Sequence, residues 1–150
     1  MRLREFFTPD AIRLDLRARS KEHAIESLVG ALHLDERGQA TLLKVLARRE
    51  QLGTTGMGRG IAIPHCRSLV VPRVRMAYAR VATPLEWDAL DAKPVRHVFL
   101  IAAPPVEVAN QYLPVLGHLA QFAKDAEALA ALDRVTSPEA FLQLLDSRGV

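Results

Sequence analysis

Residues 53–66 read Gly-Thr-Thr-Gly-Met-Gly-Arg-Gly-Ile-Ala-Ile-Pro-His-Cys. Four of the chain's eight glycines fall here, followed by an apolar triplet closed by proline. Glycine and proline both disfavour a helix interior, so this stretch is no regular helix. Gly56, Gly58 and Gly60 admit positive φ and expose backbone N–H groups, which together make anion-binding concavities. Ile61, Ala62 and Ile63 then read as a short buried strand, and Pro64 biases Ile63 towards extended geometry. His65 is thereby presented at a strand end by a stiff support, beside a loop able to donate hydrogen bonds to phosphate. Neutral imidazole is a competent nucleophile near pH 7, and a phosphoramidate formed on it transfers readily. The same residues also fit an ordinary turn followed by a surface histidine. No GKS or GKT follows, as a P-loop requires, and no GxGxxG opens a helix.

Working outward, strand and helix signals alternate. Ile12, Leu14 and Leu16 occupy every second position, a half-buried strand. Ser20 reads as an N-cap for a helix carrying Ala24, Ile25, Leu28, Val29 and Leu32 at helical spacing. Asp35 caps a second helix, with Leu42, Leu43, Leu46 and Ala47 inward, expected to end near Arg49 in a basic last turn that suits the helix dipole. Val74 to Val81 alternates as a strand, and residues 97–103 (HVFLIAA) form the continuous apolar run of a strand covered on both faces. Helices are expected over about 110–124, 126–132 and from Ser137-Pro138 to Asp146. The pattern predicts an α/β layered fold, and a hairpin within 65–97 makes the sheet mixed.

Composition narrows the functional classes. The chain has 150 residues, 49% hydrophobic and 25% charged, so residues 1–150 are expected to form one globular domain. Twenty basic residues against 17 acidic ones are interleaved rather than clustered, which argues against a nucleic-acid partner. One cysteine excludes an internal disulfide and any CxxC motif, and fits a reducing compartment. The longest apolar run, Val98 to Val106, contains two prolines and falls short of the ~20 residues of a membrane helix, so no membrane insertion is expected. A cytoplasmic protein without metal or cofactor is the resulting expectation.

The run Arg49-Glu50-x-Leu52-Gly53-Thr54-Thr55-Gly56-x-Gly58-x-Gly60-Ile61-Ala62-Ile63-Pro64-His65-Cys66 resembles the signature of type-2 (fructose/mannitol-class) enzyme IIA domains of the bacterial phosphotransferase system (PTS). It is most similar to the nitrogen-regulatory IIA-Ntr branch. Thr83-Pro84-Leu85-x-Trp87-Asp88-Ala89-Leu90-Asp91-x-Lys93-Pro94-Val95 resembles the hairpin segment of the same family. The resemblance implies a three-layer α/β/α sandwich and a relay role rather than small-molecule turnover. His65 would accept a phosphoryl group from the phosphohistidine of an HPr-like carrier, and regulatory target proteins would read its state. Arg49 matches an arginine near the site, whose donor fork suits phosphate oxygens.

The chain departs from that pattern at one place. Where the family carries a second histidine at the start of the helix after the central strand, this sequence has Tyr112. A neutral hydroxyl can donate a hydrogen bond to phosphate, but with a pKa near 10 it supplies no positive charge. His118 does not match the position and reads as a half-buried core residue. His23 and His33 read as solvated helix residues, and His97 as satisfying local backbone. Trp87 and Phe99 read as core. Cys66 stands where the family has a small residue, and Arg67, Arg73 and Arg75 fit either the steering of an acidic partner or, as the preferred reading, a strand edge kept soluble. Two alternatives stand beside the regulator: a sugar-specific enzyme IIA that passes phosphate to a separate IIB subunit, and a binding module of the same fold that is never phosphorylated.

Overall fold

The computed structural model describes residues 1–150. Its strands are β1 (Ile12–Leu16), β2 (Gly56–Gly58), β3 (Ile61–Ala62), β4 (His65–Arg67), β5 (Arg75–Leu85) and β6 (Val95–Ala103). Its helices are α1 (Lys21–Gly30), α2 (Glu36–Leu52), α3 (Tyr112–Phe122), α4 (Ala126–Leu132) and α5 (Pro138–Ser147). The sheet runs β1-β5-β6-β3-β2, with β4 also paired to β6. Pairs β1–β5, β3–β6 and β4–β6 are parallel, whereas β5–β6 and β2–β3 are antiparallel, so the sheet is mixed.

Strand β6 explains the layering. Its apolar run alternates between faces, as strand geometry dictates. Phe99, Ile101 and Ala103 join α3, α4 and α5 in one core, while Val98, Leu100 and Ala102 join α1 and α2 in the other. Each face therefore needs its own cover, and the result is an α/β/α sandwich. On the α3 side an aromatic group anchors the packing: Tyr78 lies 4.8 Å from Phe99 and 4.4 Å from Phe141, between ring centroids. Burial of each such ring contributes about 1.5–3 kcal/mol.

The helix starts follow the sequence signals. Ser20 accepts from the His23 N–H at 3.1 Å, Asp35 from Gly38 at 2.7 Å and Ser137 from Ala140 at 3.1 Å. Helix α2 continues to Leu52, past the expected end at Arg49, which places Arg49 in its last turn. His33 lies beyond α1 at positive φ and pairs with Asp10, rather than sitting on a helix. No helix is long and apolar enough to cross a membrane.

His97 differs from its expected backbone role. It is buried on β6, where its Nδ1 pairs with the Tyr78 hydroxyl at 2.7 Å and its Nε2 lies 3.0 Å from Asp133. Burial outweighs the attraction of Asp133 and pushes its pKa down to about 4. The imidazole is thus neutral in the fold but titrates near 6.5 when the chain unfolds. Below pH 6.5 the unfolded state binds the extra proton, so stability falls as pH drops towards 4 and is unaffected by this group above 7. Between pH 7 and pH 4 the wild type should lose roughly 3 kcal/mol more than His97→Gln, measured by urea denaturation at each pH.

Candidate functional site

Strand β3 and strand β4 are one parallel partner of β6, interrupted at Pro64. Ala62 lies opposite Val98 and His65 opposite Ile101, while the Pro64 carbonyl accepts the Ile101 N–H at 3.0 Å. Register is therefore kept across the break. The outer neighbour β2 pairs only with β3. Ile63 still donates its N–H to the Thr55 carbonyl at 3.0 Å; beyond it the outer edge of the strand is unpaired, and α2 from one layer and α3 from the other flank the gap. The result is an open crevice of roughly 420 Å³ bordered by Arg48, Arg49, Leu52, His65, Arg67 and Tyr112. It lies towards the carboxyl ends of the parallel strands, the usual place for sites in α/β sheets.

His65 is half-buried in this crevice. Its Nδ1 lies 2.6 Å from the carbonyl oxygen of Ile63. A carbonyl only accepts, so Nδ1 carries the proton and Nε2 keeps its lone pair. The Tyr112 ring sits 6.4 Å from the imidazole, between centroids. The Tyr112 hydroxyl pKa is pushed up to about 12, chiefly by burial, so the group stays a neutral donor. Cys66, alternating to the other face, is buried in the α1/α2 core, and burial pushes its thiol up to about 12. A protonated thiol of that kind is a poor nucleophile.

Arg49 reaches the crevice from the last turn of α2. Its Nη1 donates to the Gly53 carbonyl at 2.9 Å, and its Nε and Nη2 make no hydrogen bond within the protein. The chain around it is held by a compact polar network. Glu50, with only 8% of its side chain exposed, pairs with Lys21 at 2.7 Å and accepts from the Thr55 N–H and hydroxyl. Thr55 in turn accepts from the Trp87 indole N–H at 3.2 Å.

The structure brings His65, Arg49 and Tyr112 together, but not the glycines expected to cradle phosphate. Arg59 and Gly60 form the two-residue loop of the β2–β3 hairpin, both at positive φ, as a tight hairpin turn requires. The Gly60 carbonyl accepts from Arg96 and His97, at the start of β6. His65 lies opposite Ile101, about 13 Å further along at strand rise. Gly58 faces Asp91, whose carboxylate accepts from the Arg59 and Lys93 N–H groups, and these bonds lower its pKa. Gly56 is needed for close approach: a Cβ there would meet Ala89 at 2.8 Å and Trp87 at 3.0 Å. The two sequence motifs thus meet because the 86–94 segment packs over the glycine hairpin. The glycines shape the support, and the Arg59 N–H of this turn is spent on Asp91.

Sequence reasoning missed Arg67. Instead of serving edge solubility, its guanidinium lies over the Tyr112 ring, 4.4 Å from the centroid. The clue available was spacing: His65 and Arg67 are alternate residues of one strand and rise from the same face. Glu107 was missed too. Its carboxylate accepts from the Gln111 N–H at 2.5 Å and the Tyr112 N–H at 3.3 Å, filling the anion position at the start of α3. His118 is half-buried on α3, outside the crevice, with its Nδ1 lacking a partner. No three His, Cys, Asp or Glu side chains converge to hold a metal ion.

Comparison with known proteins agrees with this architecture. Residues 5–148 match the family described as "Phosphoenolpyruvate-dependent sugar phosphotransferase system, EIIA 2". The chain belongs to that family. It is 30% identical over 146 residues to the nitrogen regulatory protein of Bradyrhizobium diazoefficiens, covering 97% of this chain and 95% of that one. It is 34% identical over 143 residues to the 2-O-alpha-mannosyl-D-glycerate-specific EIIABC component of Escherichia coli. That match covers 93% of this chain, which spans only 22% of the larger protein. Among solved structures, IIA-Ntr of Neisseria meningitidis superposes with a TM-score of 0.86 at 31% identity, covering 94% of this chain and 97% of that one.

Gly56→Ala should lower stability by ~1–3 kcal/mol through the Ala89 and Trp87 clash. Gly60→Ala, with open space around its Cβ, should lose ~1–2 kcal/mol from positive φ alone. Urea midpoints of both variants against the wild type test this ordering.

Proposed function

We propose that this EIIA protein is a cytoplasmic phosphoryl-relay regulator, formed by residues 1–150 as one unit, that accepts phosphate on His65 from an HPr-like carrier. The observation that carries the reading is the Nδ1–H bond to Ile63, which fixes the tautomer and leaves Nε2 as the nucleophile beside Arg49 and Tyr112. In the transfer, the Nε2 lone pair forms the new P–N bond. The P–N bond to the carrier's imidazole breaks, and that ring, protonated on its other nitrogen, takes the electron pair and leaves as neutral imidazole. No proton has to move. The His65 ring gains positive character as it is phosphorylated, and the Ile63 carbonyl stabilises it. Little covalent assistance is needed, so alignment and charge stabilisation of the equatorial oxygens do most of the catalysis. The free Nε and Nη2 edge of Arg49 suits two of those oxygens.

The crevice border suits a protein donor. Leu52 and Leu113 are exposed beside it, as are Val106 and Val108 on the segment leading to α3. Arg48, Arg49 and Arg67 add positive charge, which favours encounter with an anionic phosphorylated carrier. A doubly charged group arriving there would invert the local potential, enough to change target binding by ~1–3 kcal/mol. Near end-to-end similarity to nitrogen regulatory proteins supports regulation as the output. Similarity to the EIIA portion of a sugar-specific component supports a second reading, transfer onward to a IIB partner.

Incubation with a phosphorylated histidine carrier tests the proposal. The wild type should gain one acid-labile, base-stable phosphate, and His65→Ala none, with its fold intact. An unlabelled wild type would leave only the binding-module alternative, and a labelled His65→Ala would move the acceptor elsewhere. Gly60→Ala should be phosphorylated at the wild-type rate per folded molecule. Tyr112→Phe, which loses the hydroxyl donor, should transfer about 10-fold more slowly, equivalent to about 1.4 kcal/mol; stopped-time quench measurements at matched concentrations give both rates.

A further inference from the structure

The Tyr112 departure removes a protonatable nitrogen from the crevice, yet the structure supplies another cation at the same ring. Arg67 stands two residues after His65 on β4, so the two side chains rise from one face, their Cα atoms about 7 Å apart at strand rise. The Arg67 guanidinium is stacked 4.4 Å from the Tyr112 centroid, and the His65 ring lies 6.4 Å from the same centroid. A cation over an aromatic face is held by the ring quadrupole. Three oxygen atoms anchor the same end of the group. Nη1 donates to Pro104 at 3.1 Å and to Pro105 at 3.3 Å, and lies 3.9 Å from Glu107.

What remains free decides the matter. Nε and Nη2 of Arg67 make no hydrogen bond within the protein, just as in Arg49, where Nη1 alone is tied to a backbone carbonyl. The Nε/Nη2 edge is the side-on fork that meets two phosphate oxygens. Both arginines are thus anchored by one nitrogen, keep the fork free of protein partners and border the same crevice. Glu107 does not cancel Arg67 fully, because its oxygens already accept the first two N–H groups of the α3 turn.

We propose that Arg67 is the second phosphate-binding cation of this site, positioned by the Tyr112 ring, and that it takes over the charge a second histidine would supply. The inference rests on the relay reading above and adds a residue to it.

The test is the rate of phosphoryl transfer from a phosphorylated HPr-like carrier, as a function of carrier concentration, to wild type, Arg67→Met, Arg67→Lys, Tyr112→Leu and the Arg67→Met/Tyr112→Leu double variant. Arg67→Met should lower the maximal rate ~10- to 100-fold, the range for a charged hydrogen bond, with the half-saturating concentration little changed. Arg67→Lys should recover part of the loss. Tyr112→Leu should be slower than Tyr112→Phe, and the double variant should be slower than Arg67→Met by no more than the Tyr112→Phe factor, because the ring acts through the arginine whereas the hydroxyl acts separately. A maximal rate of Arg67→Met within twofold of wild type overturns the proposal. So does a loss confined to half-saturation, which would make Arg67 a docking residue, or full additivity in the double variant. If Tyr112→Leu fails to fold, the Arg67 variants decide alone, since that side chain is partly exposed. A wild type that takes no phosphate from the carrier overturns the relay reading and this inference with it.

Discussion

Parallel pairing between β6 and a strand divided by Pro64 is the constraint on which the crevice depends. The proline cannot donate to a ladder, so the strand breaks where it sits, yet its carbonyl still takes the Ile101 N–H. The break lets the outer strand β2 stop at the first half and leave the second half with an open edge. It also brings the Ile63 carbonyl within reach of the imidazole of His65. One residue thus sets the opening, its location at the carboxyl ends of the strands, and the tautomer of the histidine inside it.

The electrostatics of the site follow from anchoring rather than from the number of charges. Arg49 is tied by the carbonyl of Gly53 at the end of α2, and Arg67 by those of Pro104 and Pro105 at the end of β6. Each anchor is a chain terminus of a regular element, where carbonyl groups lack a ladder or helix partner. Holding a long side chain in place before an anion arrives lowers the ordering cost at that moment. Glu107 occupies the start of α3, where the free N–H groups would otherwise attract an anion.

Much of this was legible in the chain itself, for reasons that differ from element to element. The β6 run was readable because residues 98–103, covered on both faces, are all apolar, and α4 spans the residues 126–132 expected for it. The caps at Ser20, Asp35 and Ser137 were readable because capping is local chemistry. His65 and Arg49 were legible through the motif, and Tyr112 through its misfit to it. The glycines misled because freedom of φ is needed equally by an anion loop and by a tight hairpin turn, and only the sheet register separates the two. The roles of Arg67 and of the His97–Tyr78 pair escaped notice because each depends on a partner far along the chain, whereas Glu107 bonds only four and five residues ahead and was overlooked at an expected helix start near 110.

Alternation along β4 carries a further consequence for how this gene can change. His65 and Arg67 point into the crevice only because Cys66 between them points into the α1/α2 core. Insertion or loss of a single codon between Pro64 and His65 would exchange the two faces of the strand. The imidazole and guanidinium would then be driven among apolar side chains, and the thiol would face the crevice. The segment can accept substitutions one at a time, but its length is fixed to the residue, and natural variation in it should be confined to letter changes with no gaps.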